Sequence, residues 1–113
     1  MDTERIRLFG VPYKTANGKE FTFLWTNRSV ARAEDEGLGA PGCGPNKSMR
    51  LLVWACLSSL TPEATPDDAS DMIDLEMAHG RLEALCDAIR TAREKAEGAA
   101  YRPPQPELVK SAS

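Results

Sequence analysis

The sequence predicts a small α+β domain, mostly helical, in which an N-terminal β-hairpin packs on three to four α-helices. Three observations predict it. An aromatic, strand-like segment from Glu20 to Trp25 follows an Asn17-Gly18 turn signal. A broad apolar stripe at helical spacing runs from Met49 to Leu60, and another runs from Leu75 to Ala92. With 113 residues, 42% apolar and 27% charged, the chain can bury one modest core.

The hairpin comes first. In residues 5–9, RIRLF, charged and apolar side chains alternate through Ile6 and Leu8, which reads as extended chain. EFTFLW places Phe21, Phe23 and Trp25 on one face and Glu20, Thr22 and Leu24 on the other. Pro12 cannot donate to a ladder, so the strand before the turn is an edge or is interrupted there. Residues 5–25 therefore read as a hairpin or a two-to-three-stranded sheet. Such a sheet is unstable alone and needs helices on its aromatic face.

The helices follow. Thr26 or Asn27 can accept from the free N–H groups that open a helix, and RSVARAEDE continues with good helix formers. Val30, Ala33 and Leu38 give this helix a thin apolar face, and Gly37 and Gly39 stop it. Residues 39–47, GAPGCGPNK, read as a loop. Met49, Leu52, Val53, Cys56, Leu57 and Leu60 then share one helical stripe. Leu51 and Trp54 lie partly off it, so this helix is central to the domain or carries a second packed surface; Pro62 ends it. Thr65, Pro66 and Asp68 fit an N-cap, a first-turn Pro and a capping acid for a short helix with Met72 and Ile73. The last helix carries Leu75, Ala78, Leu82, Leu85, Cys86, Ile89 and Ala92 to about Lys95, with a weak spot at Gly80 and a stop at Gly98. Residues 1–98 thus form one domain, and residues 99–113 a Pro-rich tail expected to be flexible.

Candidate chemistry is thin. A net charge of −3 argues against a general nucleic-acid binder. No signal-peptide run opens the chain, and LLVWACL is too short to span a bilayer, which points to a cytoplasmic protein. His79 is the single histidine, expected on the polar side of the last helix. Cys56 and Cys86 lie on apolar stripes and read as core; Cys43, near Lys47 in the loop, is the candidate reactive thiol. GPNKS has Asn46 where a phosphate loop needs Gly, so it reads as chance. Glu63, Asp67, Asp68, Asp71, Asp74 and Glu76 lack calcium-loop spacing and read as the acids that a helix start favours through its dipole. Arg28 and Arg32 share a helical face, with Arg5 and Arg7 on a nearby strand; a small basic spot there could meet an acidic partner, but the pattern reads first as a solvated face. Nothing here assembles a catalytic, cofactor or metal site. An apolar central helix with a Pro-rich tail suits a protein that works by association.

The order of elements resembles that of the tail assembly chaperones of long-tailed phages, prophages and gene-transfer-agent-like elements. The turn Gly18-Lys19, then Leu24, Thr26-Asn27, Val30 and Glu34, occupies places where that family has its hairpin and first helix. The apolar helix Leu51 to Leu57, the segment Thr65 to Ile73 and a closing helix follow in the same order, so that the likeness spans residues 5–97. Ser29-Val30, Trp54 and Cys56 depart from the usual residues. The resemblance implies a non-enzymatic chaperone that binds the tape measure protein, keeps its apolar helices soluble and promotes tail tube polymerisation. It further implies host cytoplasm as the location, absence from the mature virion, and a longer frameshifted form for which the tail from Pro103 would be a linker. Partners would be the tape measure and tail tube proteins, with self-association as a further possibility. Leu51, Trp54 and Met49 are the candidate partner contacts, although Leu51 and Trp54 equally fit the monomer core against Phe21, Phe23 and Trp25. A head-tail connector or other structural morphogenesis protein, and a small helical regulatory protein, are the alternatives.

Overall fold

A computed structural model of the protein describes residues 3–100. Its elements are α1 (Thr3–Phe9), β1 (Val11–Lys14), β2 (Glu20–Phe23), α2 (Asn27–Asp35), α3 (Pro45–Ser58), α4 (Pro66–Ala78) and α5 (Leu82–Ala100). The expected class holds: a small hairpin lies against several helices in a mostly helical α+β fold.

The first correction falls at the N-terminus. Residues 5–9, expected to be extended, belong to helix α1. Five residues with apolar Ile6, Leu8 and Phe9 cannot separate period 2 from period 3.6, and here Ile6 and Phe9, three apart, are half-buried while Leu8 is 47% exposed. The Gly10 N–H continues the turn onto the Ile6 carbonyl at 2.8 Å. A β-carbon at Gly10 would stand 2.5 Å from the Ile6 oxygen and 2.8 Å from Thr22 Cγ2, so only glycine lets helix and hairpin meet so closely.

The hairpin is antiparallel, with Val11 opposite Phe23, Pro12 opposite Thr22, Tyr13 opposite Phe21 and Lys14 opposite Glu20. Pro12 is tolerated because both strands are edges. Tyr13 and Phe23 turn inward and stack diagonally, ring centroids 5.5 Å apart. Leu24 is fully buried, contrary to its expected outer face. The strand has ended by then: the Leu24 N–H leaves the ladder to donate to the Cys56 carbonyl at 3.1 Å, and alternation no longer applies.

Thr26 is the N-cap of α2, its hydroxyl accepting from the Ser29 N–H at 3.1 Å. Ser59 ties this junction to α3, donating to the Leu24 carbonyl at 2.7 Å. Helix α2 ends in a Schellman turn at Gly37, with the Leu38 N–H on the Ala33 carbonyl and Leu38 packed beside Ala33. Helix α3 is both central and two-sided. Val53, Cys56 and Leu57 join the main core with Tyr13, Phe23, Met72, Leu85 and Ile89, whereas Leu51 and Ala55 face Ala33 of α2.

Thr65 opens α4 with a complete capping box to Asp68 and Pro66 in the first turn, as expected. Helix α3 begins earlier than expected, at Pro45 inside the segment read as a loop, and two later boundaries differ as well. Gly80 is the end of α4, not a weak spot inside one long helix, and Leu75 and Ala78 belong to α4. Its φ of 68° places it in the left-handed region, and the Gly80 and Arg81 N–H groups close a Schellman turn on the Met77 and Glu76 carbonyls. Gly98, in contrast, does not stop α5, which runs to Ala100. One glycine costs a helix about 1 kcal/mol, which neighbouring alanines absorb. The rest of the proposed tail, residues 101–113, lies outside the described residues.

Candidate functional site

Glu76 is the largest departure from the sequence reading. Counted there among the acids of a helix start, it has no exposure at all. It falls on the buried stripe of α4 with Ala69 and Met72, at helical spacing, and its side chain enters the core beneath the hairpin. A carboxylate in such a position needs partners, and it has them. The Tyr13 hydroxyl donates to Oε1, Arg81 Nε donates to the same oxygen at 3.0 Å, and the Ala16 N–H donates to Oε2 at 2.8 Å. Arg81 also donates through Nη2 to the Lys14 carbonyl at 2.7 Å, and its guanidinium lies 5.7 Å from the Tyr13 ring centroid.

The Schellman turn after α4 makes this geometry. By folding the Arg81 N–H back onto the Glu76 carbonyl at 2.8 Å, it brings the Arg81 side chain over the carboxylate five residues earlier. Burial alone would raise the Glu76 pKa, but the donors from Tyr13, Ala16 and Arg81 outweigh it and hold the carboxyl below its ordinary value. Burial, reinforced by the Glu76 bond, raises the Tyr13 phenol. Both carboxylate oxygens are thus engaged by donors, and the group is a clasp between hairpin and helices. An acid on the apolar stripe 69, 72, 76 is the sequence signal that could have found it.

The other candidates are separate. His79 caps α4, exposed, with Nδ1 3.0 Å from the Leu75 carbonyl, and does not lie on the last helix. Asp67, Asp68, Asp71 and Asp74 are exposed, and among the described residues no group of His, Cys, Asp and Glu side chains is arranged to hold a metal. Cys56 is buried, its thiol pushed up to about 12 by desolvation. Cys86 is half-buried, and Cys43 Sγ lies 3.3 Å from Ser48 Oγ. Arg32 leaves the expected basic spot to donate to Ser58 Oγ at 2.9 Å and to cover Trp54. Among the described residues no helix is long and apolar enough to cross a membrane.

The three candidate partner contacts divide. Leu51 is 2% exposed, already covered by α2. Trp54 is half-buried between the two packed faces of α3, with Nε1 donating to the Ala64 carbonyl at 2.9 Å. Neither stands free as a knob. Met49 is half-buried at the wall of an open groove of about 430 Å³ between α3 and α5. Val53 and Ile89 form its floor; Trp25, Met49, Leu52 and Cys86 form its walls. No family model matches the chain, and neither a curated protein nor a solved structure matches it.

Proposed function

We propose that the protein is a non-enzymatic assembly chaperone for phage tail morphogenesis. It binds apolar helices of the tape measure protein and promotes tail tube polymerisation in the host cytoplasm, leaving before the virion is mature. The observation that carries this reading is on α3: beside its buried strip it keeps Met49 and Leu52 only half-covered, on an open apolar surface. Such surface on a small domain is what a helix-binding protein presents. The resemblance in element order supports the choice of partner.

The test is co-expression with the longest protein encoded beside this one, followed by size-exclusion chromatography with light scattering. Several copies held on one long, soluble partner support the chaperone role. A partner that precipitates while this protein elutes alone overturns it. Leu52→Glu is the appropriate surface variant, because Leu51→Glu would strike the α2–α3 packing instead.

A further inference from the structure

We propose that the groove between α3 and α5 docks one amphipathic helix of a partner protein, with large aliphatic anchors facing the groove and carboxylates along the flank that faces α5. This deepens the chaperone reading and rests on it for the partner's identity, but not for the chemistry of the contact.

The lining decides the form of the ligand. Both walls are made of helix side chains: Met49 and Leu52 on α3, Cys86 and Ile89 on α5, with Trp25 closing one end. A peptide lying there meets little that can satisfy its backbone N–H and C=O groups, so it must satisfy them itself, as a helix does. The groove spans Pro45 to Val53 on α3 and Cys86 to Arg93 on α5, about 12 Å and about 10 Å of helix axis. That matches two turns of a ligand helix, with anchors at i, i+3 or i+4, and i+7. Its volume of about 430 Å³ takes a few side chains, not a whole helix, so the ligand backbone stays above the rim. Met49 suits such a wall because an unbranched thioether reshapes at low cost.

The rim decides the charge of the ligand. Arg90 and Arg93 project from α5 at the groove edge, their side chains 62% and 55% exposed. Each pairs with an acid of its own helix, Asp87 and Glu97, and such exposed pairs hold little. A guanidinium has five N–H donors, so a ligand carboxylate can share it. Arg93 also lies 5.3 Å from the Trp25 ring centroid, which keeps that guanidinium at the groove mouth. The exposed face of α4, with Asp67, Asp68, Asp71 and Asp74, is acidic, and a ligand rich in carboxylates is repelled there.

The experiment uses the full chain with Cys43→Ser, which leaves Cys86 as the half-buried thiol and Cys56 buried. Two fluorescent helical peptides of about four turns are compared by anisotropy. Both carry leucines at i, i+3, i+4 and i+7; one has Glu flanks, the other Lys flanks. The Glu-flanked peptide is expected to bind about fivefold tighter at low ionic strength, with the preference fading in high salt. It should slow maleimide labelling of Cys86, and Arg90→Glu with Arg93→Glu should reverse the preference. Leu52→Glu, checked for folding by circular dichroism, should abolish binding. Equal binding of both peptides, or binding without protection of Cys86, overturns the proposal. So does a doubled mass relieved by Leu52→Glu, which makes a second copy the occupant. So does faster Cys86 labelling after Leu108→Glu with Val109→Glu, which makes the chain's own C-terminal segment the occupant. Peptide binding without capture of the long partner leaves the groove standing and removes the phage role. Capture that survives Leu52→Glu does the reverse.

Discussion

The Tyr13 hydroxyl donates to Glu76 across 63 residues of chain, at a point where the carboxylate has no contact with solvent. This bond, with the Ala16 N–H on the second oxygen, fastens the hairpin to α4. Glu76→Gln keeps the volume but turns one acceptor into a donor that faces other donors. It should cost about 2–4 kcal/mol of stability in urea unfolding. Tyr13→Phe should cost about 1–2 kcal/mol. Their double mutant should lose less than the sum, because the two side chains share one interaction.

The same carboxylate predicts an acid limb. Its folded pKa lies below the ordinary value of 4.5. The stabilisation from its charge is therefore complete above that value and is lost as pH falls through the folded pKa. Thermal midpoints of the wild type should drop on acidification below about pH 4.5. Glu76→Gln, already low at neutral pH, should show a flatter curve over that window. Parallel curves for the two proteins would refute the assignment.

Two helix ends carry measurable stability. Thr65→Ala removes the capping-box acceptor of the Asp68 N–H and should cost about 1 kcal/mol. Gly80→Ala forces a β-carbon into a φ of 68° and should cost about 1–2 kcal/mol. The second variant should also loosen the clasp, since Gly80 sets the turn that aims Arg81 at Glu76. Hydrogen exchange at Ala16 reports this: it should quicken in Gly80→Ala and stay unchanged in Thr65→Ala.

The three thiols should separate by access. Cys43 and Cys86 are half-buried and should react with a disulfide reagent in the native state. Cys56, buried and with its pKa pushed up to about 12, should react only after unfolding. Labelling counted by mass spectrometry before and after denaturant checks this.

Leu51 and Leu52, adjacent in sequence, should respond differently to a charge. Leu51→Glu buries an unpaired carboxylate between α2 and α3 and should cost more than about 3 kcal/mol. Leu52, half-buried at the groove, should tolerate Glu at about 1 kcal/mol. Melting curves of the two variants would decide whether Leu51 is core or contact.

What could be read from the sequence was local chemistry. The Thr26 and Thr65 caps, Pro66 in the first turn, the turn around Gly18 and the apolar stripe of α3 each depend on neighbours within one or two turns. Such features carry their own hydrogen bonds and need no distant partner. Residues 5–9 failed because Ile6 and Leu8 fit period 2 while Ile6 and Phe9 fit the helical period, and packing of α1 on α5 made the choice. Gly80 and Gly98 looked alike as letters. One sits where α4 must turn to aim Arg81, and the other lies in a helix that simply continues.

By itself, the sequence determined the fold class, the capped starts of α2 and α4 and the apolar stripe of α3, because periodicity and capping are short-range. Tertiary structure alone decided that Glu76 is core rather than surface, that Leu51 lies under α2, and that Met49 and Leu52 border an open groove. A stripe on a helix says that something covers it, but what covers it, and how far, depends on contacts between residues tens of positions apart. A charge on such a stripe survives burial only when another element brings donors to it, here the hairpin's Tyr13 and Ala16.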